Sequence, residues 1–248
     1  MAIITWNKKY RETLGESVNR FRSQYQKYMS SKITYAGRLD PLAEGLLLLL
    51  TDNDVHKKPE FLSMDKTYQV EFMLGYQTDS YDILGLITSI KNSTNIDQEE
   101  LHQKIIDTQN TTSQIYPPYS SKTVQGKPMW RWSRDGRISD ITAPEQNISV
   151  KRSRYISSRV ISINDFKKEY IYPLTHVQGD FRQSDIISKW EDVFDKQNHK
   201  KNIILYTAEF SVSSGTYIRS LIHNIGIELG VGAVCVKISR SQVGNFHL

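Results

Sequence analysis

The pattern of apolar and polar positions predicts several strands along the chain. Apolar and polar residues alternate at residues 67–75, 149–163 and 202–213, as is typical of strands with one buried face. A short first strand is predicted at residues 3–6. Five consecutive leucines at residues 46–50 are too few to span a membrane, which takes about 20 apolar residues, and predict a strand buried on both faces. On the last alternating strand we expect one shared face, formed by Ile204, Tyr206, Ala208, Phe210 and Val212.

Helices are predicted where apolar residues recur at helical spacing. One is expected over residues 14–30 and a second over residues 98–108, where Ile106 is expected to face inward. A third helix is predicted to begin with a cap at Ser184. A fourth is expected after Gly215, because glycine permits the turn that leads from a strand into a helix.

One acidic residue, Asp40, lies on a tight turn directly before the leucine strand. Gly37, Pro41 and Gly45 bracket it. A carboxylate held on such a turn has a fixed position, which suits a catalytic nucleophile. The structural alternative is that Asp40 only forms an Asx-type turn before Pro41. The residues around it favour the first interpretation.

The stretch around Asp40, GRLDPLAEGLLLLL, resembles the catalytic stretch of pseudouridine synthases, which carry one essential aspartate. The TruB family has the pattern G-x-L-D-P-x-A-x-G, and the matching residues here are Gly37, Leu39, Asp40, Pro41, Ala43 and Gly45. Residues 75–85, GYQTDSYDILG, are similar to the TruB pattern G-x-x-T-D-T-x-D-x-x-G. This second motif favours the TruB family over the other branches of the superfamily.

Three further motifs follow in the order of the family. Residues 114–126 resemble Q-x-P-P-x-Y-S-A-x-K-x-x-G, residues 213–221 resemble S-K-G-T-Y-I-R-x-L, and residues 229–246 resemble L-G-x-G-A-x-x-x-x-L-R-R-x-x-V-G-x-F. The resemblance omits about residues 170–201, which we predict to be an insertion. It implies one α+β catalytic domain, residues 1–248, with the pseudouridine synthase fold: a mixed, largely antiparallel sheet, flanking helices on one side and a central catalytic cleft.

The resemblance also implies which residues hold the reacting base. Asp40 is the expected nucleophile, and Arg219 is expected to form a salt bridge with it, since the start of a helix gives an arginine no favourable dipole. Tyr68 is expected to stack on a flipped uracil, although its alternation alone predicts a core aromatic residue. Ile238 is expected to contact the other side of the base. The remaining substrate-binding residues are expected to be Tyr217, Asp82 and Tyr35.

RNA contacts are expected along a basic, proline-containing segment, residues 114–136, which we call the arm. The residues expected to contact RNA are Lys66, Lys122, Lys127 and Arg134. TruB enzymes usually have a histidine, which wedges into the RNA loop, at the position of Tyr35. A tyrosine ring can stack on a base in the same way, so this difference leaves the chemistry unchanged and the RNA target open.

The charge distribution agrees with an RNA partner. The chain carries a net charge of +5, from 32 basic and 27 acidic residues. Residues 122–159 contain nine Lys and Arg and three acidic residues, a net charge of +6 that exceeds that of the whole chain. Basic residues mixed with Trp130, Trp132 and Tyr155 are typical of a surface that binds a phosphate backbone. A solvated basic face is the alternative on composition alone.

Neither a metal nor another cofactor is expected. One cysteine, Cys235, excludes a disulfide framework and a thiolate zinc site, and the six histidines show no ligand spacing. The first ten residues lack the apolar core of a signal peptide, so we expect a cytoplasmic protein. We also expect a monomer without a membrane partner. Many TruB proteins continue into an RNA-binding PUA domain, which we expect this protein to lack, since the chain stops two residues after Phe246.

The resemblance therefore predicts an enzyme that isomerises a uridine in RNA to pseudouridine. The expected substrate is the T-loop uridine in the T arm of transfer RNA. Two alternatives remain open at this stage. One is the same reaction on another RNA, such as ribosomal RNA, and the other is a non-catalytic RNA-binding or RNA-folding protein with the same fold.

Overall fold

An eight-stranded mixed sheet forms the centre of the molecule. The structure is a computed structural model and describes residues 3–197 and 202–248. The strands are β1 (Ile3–Lys8), β2 (Ile33–Ala36), β3 (Ala43–Thr51), β4 (Lys66–Leu74), β5 (Tyr76–Thr78), β6 (Ile87–Ile90), β7 (Ser113–Ile115), β8 (Thr123–Val124), β9 (Lys127–Pro128), β10 (Glu145–Asn147), β11 (Val150–Ser162), β12 (Asn202–Val212), β13 (Ala233–Val243) and β14 (Phe246–His247). The helices are α1 (Leu14–Gln24), α2 (Lys58–Leu62), α3 (Gln98–Asp107), α4 (Met129–Arg134), α5 (Ile163–Phe166), α6 (Gln183–Lys196) and α7 (Ile218–Glu228).

The strand order of the main sheet is β1-β3-β13-β4-β12-β11, with β2 beside β3 and β14 beside β13. Among the described strands its pairs are antiparallel, except that β13 runs parallel to β3. The prediction of a mixed, largely antiparallel sheet is confirmed. The parallel pair places the start of the leucine strand beside the end of β13, so residues from distant motifs become neighbours.

Helices cover both faces of the sheet, so the prediction that they lie on one side is wrong. On one face, α3 and α7 pack with residues such as Val70 and Phe72 of β4. On the other face, Trp190 of α6 packs in a second cluster that includes Val234 and Val236 of β13. The physical reason is that β13 presents apolar residues on both faces, and each face needs a cover.

The leucine strand is buried on both faces, as predicted. Leu46 to Leu50 are each 0% exposed. The even-numbered leucines pack against Phe61 of α2, and the odd-numbered ones against Trp6 of β1 and Phe21 of α1. Burying a leucine side chain contributes about 1.5–3 kcal/mol. The strand is therefore a rigid base for the turn that precedes it.

Three local predictions differ from the structure. Ile106 is 47% exposed, because α3 already buries Leu101 and Ile105 on its inner face. Arg182, with φ 65°, is the N-cap of α6 in place of Ser184. Ile204 is 45% exposed near the start of β12, and the opposite face there is buried through Ile203 and Leu205.

The predicted insertion is packed on the body of the molecule. After α5, a π-helical turn at Lys167–Ile171 and a 3-10 turn at Tyr172–His176 lead to α6. Their apolar side chains join the second cluster, where the ring of Trp190 packs against that of Tyr76 with centroids 5.5 Å apart. Residues 198–201 of the predicted insertion lie outside the described residues. The loop between Val177 and α6 reaches the edge of the cavity described below.

A glycine makes the parallel pairing possible beside the Asp40 turn. Gly45 has φ 103° and lies opposite Arg240 of β13. A Cβ atom at Gly45 would lie 2.3 Å from the carbonyl oxygen of Arg240, which is backbone and cannot move aside. The two strands can approach this closely only with glycine at this position.

We expect Gly45→Ala to destabilise the protein by roughly 2–4 kcal/mol, through backbone strain and the clash with β13. The measurement is the urea midpoint of unfolding. Gly15→Ala in α1 is the matched control, because no atom lies within 4 Å of its added Cβ, and it should stabilise the protein by up to about 1 kcal/mol. Equal midpoints for Gly45→Ala and the wild type would contradict the close-approach argument.

Candidate active site

The Asp40 turn is held by two buried cations from other strands. Lys8 of β1 is 0% exposed, and its Nζ donates hydrogen bonds to the carbonyl oxygens of Pro41 and Ala43. Burial lowers the pKa of Lys8 to about 8, while nearby carboxylates including Asp40 oppose this shift. Arg240 of β13 is 1% exposed and donates to the carbonyl oxygens of Gly37, at 3.2 Å, and of Leu46, at 2.7 Å.

Arg219 forms the predicted salt bridge with Asp40. Its Nε lies 2.8 Å from Oδ2 of Asp40 and 3.6 Å from Oδ2 of Asp82. The Arg219 side chain is 4% exposed and that of Asp40 is 42% exposed. The nucleophile candidate therefore faces the solvent side of the site, while the arginine that positions it lies in the interior.

Both terminal nitrogens of Arg219 also donate hydrogen bonds. Nη1 donates to the carbonyl oxygen of Ser80, and Nη2 donates to that of Tyr119 at 3.3 Å. Burial alone lowers the pKa of Arg219, but the charges of Asp40 and Asp82 raise it above its ordinary value. A buried guanidinium with such partners is held in one orientation, because a fork of five donors fits them in only one way.

Asp82 is a buried carboxyl with an unusual proton affinity. Burial raises its pKa from 3.8 to about 6, although Arg219 and a hydrogen bond from Ser80 act in the opposite direction. Its Oδ1 accepts from Ser80 Oγ at 2.6 Å and from the Leu84 N–H at 3.0 Å. Its other oxygen faces Arg219. Asp82 is thus held by Ser80 and Leu84 of its own loop, and its charge faces the interior side of Arg219.

The start of α7 is fastened to the base of the arm. Tyr217 is the N-cap residue of α7. Its N–H donates to Gln114 Oε1 at 2.8 Å, and Gln114 Nε2 donates to its carbonyl oxygen at 3.1 Å. The ring of Tyr116 lies edge-on to that of Tyr217, with centroids 5.7 Å apart. The first turn of α7, which carries Arg219, therefore has a fixed position relative to the arm.

These groups surround an open cavity of about 820 Å³. The predicted site residues that line it are Tyr35, Asp40, Lys66, Tyr68, Asp82, Arg134, Tyr217, Arg219 and Ile238. Tyr68 and Ile238 are 8% and 7% exposed, so both pack in the core and still border the cavity. The two expectations for Tyr68, a core position and a place at the cleft, hold together.

The remaining predicted residues have other surroundings. Lys122 and Lys127 lie on the arm outside the cavity lining. Lys127 pairs with Asp135, and Lys122 Nζ lies 5.0 Å from the ring centroid of Tyr116. Lys66 lines the cavity, but its Nζ donates to the carbonyl oxygens of Leu62 and Met64. Burial lowers the pKa of Lys66 to about 8.

Sequence reasoning missed a second polar cluster at the cavity edge. Arg182 donates to both carboxylate oxygens of Asp79, at 2.8 and 3.2 Å, and its Cζ lies 4.8 Å from the ring centroid of Tyr119. Asp79 and Tyr119 both lie in recognised motifs, which was a usable signal. Arg182 lies in the predicted insertion, residues 170–201, where no motif marked it as a candidate.

The sequence matches a known family over more than half of the chain. The model of the TruB family pseudouridylate synthase (N terminal domain) matches residues 24–169. The chain belongs to the TruB family. The resemblance on which the site residues were predicted is therefore confirmed, and the family match includes Asp40, Tyr68 and Asp82 but ends before Arg182.

Several relatives are named tRNA pseudouridine synthase B. The one from Malacoplasma penetrans is 30% identical over 222 residues, which are 89% of this chain and 77% of the relative. The one from Fusobacterium nucleatum is 28% identical over 219 residues, which are 88% of this chain and 60% of the relative. The chain spans less than two thirds of the length of several TruB relatives that it matches.

A solved structure shows the same fold. The chain aligns with a chain of a Cbf5-Nop10-Gar1 complex with a TM-score of 0.57 and 17% identity, over 99% of this chain and 49% of the other. A structure of an H/ACA RNP bound to a substrate RNA containing 2′-deoxyuridine gives a TM-score of 0.51 at 17% identity, over 99% and 48%. The predicted pseudouridine synthase fold is confirmed.

The part of the chain that the structure describes contains neither a cluster suited to a metal ion nor a helix suited to a membrane. Within residues 3–197 and 202–248, no group of three His, Cys, Asp or Glu side chains is placed to bind a metal ion. No helix in these ranges is long and apolar enough to cross a membrane.

The raised pKa of Asp82 predicts a pH dependence of stability. Between pH 3.8 and about 6 the folded protein keeps Asp82 protonated while the unfolded chain does not. The folded state then binds more protons, so this residue makes stability fall as the pH rises through the window. Asp82→Asn keeps an oxygen for Ser80 and Leu84 but cannot titrate, and should lose this component.

The measurement is the difference in Tm between the wild type and Asp82→Asn at pH values across and above that window. We expect the wild type to lose stability relative to the variant as the pH rises. Asp192→Asn is the matched control, because a hydrogen bond from Lys196 lowers the pKa of exposed Asp192 and reverses the sign. A difference that grows in favour of the wild type with rising pH would contradict the assignment.

Proposed function

We propose that this protein isomerises a uridine in transfer RNA to pseudouridine, with the T-loop uridine as the target. The observation that carries the proposal is the ion pair between Asp40 and buried Arg219 at the mouth of a cavity bordered by Tyr68 and Ile238. Membership of the TruB family and relatives named tRNA pseudouridine synthase B support it. We further propose a single catalytic domain in which residues 170–201 are an insertion.

The cavity is suited to a base that has left its stack. A uridine in a folded loop must flip out of the RNA to meet Asp40, at a cost of a few kcal/mol. Tyr68 stacks on one face of the flipped uracil and Ile238 packs against the other. Tyr217, at the start of α7, borders the ribose side. Tyr35 occupies the space that the base vacates in the RNA loop.

The reaction moves one glycosidic bond from nitrogen to carbon. The Asp40 carboxylate attacks the nucleotide, at C6 of the uracil or at C1′ of the ribose, and the bond between C1′ and N1 breaks. The released base rotates within the cavity and a bond forms between C1′ and C5. C5 then loses its proton, N1 gains one, and the carboxylate is set free. Tyr68 Oη is the proposed acceptor of the C5 proton.

Arg219 and Asp82 act on Asp40 without touching the base. The guanidinium fixes one carboxylate oxygen of Asp40 and leaves the other free for attack. Asp82 holds Arg219 from the interior, so the arginine cannot swing into the cavity when Asp40 becomes covalently attached. This arrangement is rigid before substrate arrives, which lowers the cost of reaching the transition state.

The RNA backbone is proposed to follow the basic arm. Lys122, Lys127 and Arg134 lie on it, and Lys66 borders the cavity beneath. Phosphate contacts of this kind supply affinity and position but little sequence information. Recognition of the T loop would then depend on its folded shape and on the flipped base.

One observation favours another RNA as the target. The ring of Tyr35 lies 5.3 Å from Lys58 Nζ, and it is bulkier than the histidine usual in the family. The alternative is the same reaction on ribosomal RNA. A protein that binds RNA without catalysis is the remaining alternative, and the intact arrangement around Asp40 argues against it.

The first test is release of tritium from C5 of uracil in transfer RNA transcripts. We expect release by the wild type and none by Asp40→Asn, because the amide cannot act as the nucleophile. Asp97→Asn is the matched control: Asp97 caps α3, asparagine caps equally well, and its activity should equal that of the wild type.

The same assay identifies the target. A transcript with cytidine in place of the T-loop uridine should release no tritium above background. Release from that transcript would place the target at another uridine of transfer RNA, and release from ribosomal RNA only would support the first alternative. Binding of RNA without release from either RNA would support the non-catalytic alternative.

A second test concerns the C5 proton. Tyr68→Phe keeps the stacking ring but removes the proton acceptor, so turnover should fall by about 10²–10⁴-fold while RNA binding is retained. Tyr76→Phe is a suitable control, because Tyr76 is a buried tyrosine away from the cavity that donates to Gln197. Equal turnover by Tyr68→Phe and the wild type would assign the proton to another group.

A further inference from the structure

We propose that Arg182 is a positioning residue that, with Asp180, fastens the arm over the cavity, so that RNA meets an arm already in place. The segment that supplies both residues, Val177 to Arg182, lies beyond the part of the chain that the family model matches. The consequence for RNA rests on the proposed function. The effect on the position of the arm does not.

The arm has little apolar contact with the body of the protein. Met129 and Trp132 of the arm pack with Ile141 in a small cluster of their own, separate from the two large clusters of the sheet. Hydrogen bonds inside the arm, such as the one from the Trp130 N–H to the Ser120 carbonyl, hold its shape but not its position. A satellite cluster of this kind needs further contacts to keep one orientation.

The base of the arm is anchored through Gln114 and Tyr217, and its upper part is anchored by Arg182. The guanidinium binds Asp79 through two nitrogens and lies over the ring of Tyr119, which belongs to the arm. Tyr119 Oη donates to the same carboxylate at 3.2 Å. Arg182, Asp79 and Tyr119 thus form a closed triangle that joins three distant parts of the chain.

The three side chains are partly shielded from solvent, and the backbone of Arg182 has an unfavourable conformation. The side chains of Arg182 and Asp79 are 19% and 26% exposed. Arg182 has φ 65°, a conformation that residues other than glycine rarely adopt. Burial raises the pKa of Tyr119 to about 12, so its hydroxyl stays protonated and can donate to Asp79 at neutral pH.

A second contact lies further out on the arm. Arg134 donates to the carbonyl oxygen of Asp180 at 2.8 Å and pairs with its carboxylate. The Asp180 side chain is 73% exposed, and exposed ion pairs are weak. We therefore assign the main restraint to Arg182 and a supporting one to Asp180. An RNA phosphate can take the place of Asp180 on Arg134.

The triangle also reaches the catalytic pair. The carbonyl oxygen of Tyr119 accepts from Arg219 Nη2 at 3.3 Å, and Arg219 holds Asp40. Arg219 keeps its contacts with Asp40, Asp82 and Ser80 when the arm moves away. Loss of Arg182 should therefore weaken the capture of RNA more than the chemical step.

The position of the arm can be measured without RNA, by hydrogen exchange of its amides. In Arg182→Gln we expect the amides of residues 119–136 to exchange at least about tenfold faster than in the wild type. Lys196→Gln is the matched control, since it breaks an ion pair with Asp192 on the same helix α6 away from the cavity. It should leave the arm unchanged.

Three further variants distinguish loss of the Arg182–Asp79 contact from a general loosening of the structure. Asp79→Asn keeps the oxygen that accepts from the Leu86 N–H and should speed exchange of the arm as Arg182→Gln does. The double variant should show no further increase, because both changes break the same contact. Arg182→Lys keeps the charge but loses the two-pronged geometry, and should lie between wild type and Arg182→Gln. Unchanged exchange in Arg182→Gln overturns the proposal.

The consequence for RNA is measured by tritium release at varied RNA concentration. We expect Arg182→Gln to raise KM by about tenfold with kcat within about threefold of the wild type, a pattern that reports lost binding. Faster exchange of the arm with an unchanged KM overturns the link to RNA. Absence of tritium release by the wild type itself would reject the proposed function instead. The exchange experiment would still test whether Arg182 holds the arm in place.

Discussion

The buried guanidinium of Arg219 is the constraint on which the site depends. A charge with 4% of its side chain exposed is costly unless its donors are paired. Arg219 meets Asp40, Asp82 and two backbone carbonyls, which belong to the turn before β3, the loop after β5 and the arm. The cavity is thus formed where these elements satisfy one cation, and losing Asp40 or Asp82 would remove one of the two negative charges that balance it.

The turn that carries Asp40 is held through its backbone carbonyl oxygens and not through the Asp40 carboxylate. Lys8 and Arg240 bind the carbonyl oxygens around Asp40 and leave its carboxylate to Arg219 and to the solvent. Arg240 reaches the turn through the parallel pairing of β3 with β13, which requires Gly45. Lys8 reaches it from β1, which pairs antiparallel with β3. The buried leucine strand is rigid. The hydrogen bonds from Lys8 and Arg240 hold the turn in a fixed position next to it.

Much of this arrangement could be predicted from the sequence. The leucine run, the alternation in β4 and the spacing in α7 each identify one element, and the motifs identify the Asp40 to Arg219 pair. The expectation of helices on one side came from the family resemblance, and the periodicity could not correct it, because it shows which face of a strand is apolar but not how many layers cover the sheet. Arg182 could not be predicted, since its role depends on a loop that has neither a motif nor a period.

The basic segment shows how far net charge can mislead. Of the nine Lys and Arg in residues 122–159, six form ion pairs with acidic residues, and four of these six have partners outside the segment, such as Asp180 and Glu209. Among the described residues, the three without an ion pair are Lys122, Arg131 and Arg152. Two of these three lie on the arm.

An RNA phosphate therefore competes with the protein's own carboxylates for most of the basic residues. Exposed pairs contribute only about 0–1 kcal/mol, so phosphate can displace them, but each exchange releases fewer counterions than a free cation would. The salt dependence of RNA binding should accordingly reflect the few unpaired residues on the arm more than the net charge. Keeping those residues beside the cavity is then a matter of geometry, which the contacts at both ends of the arm provide.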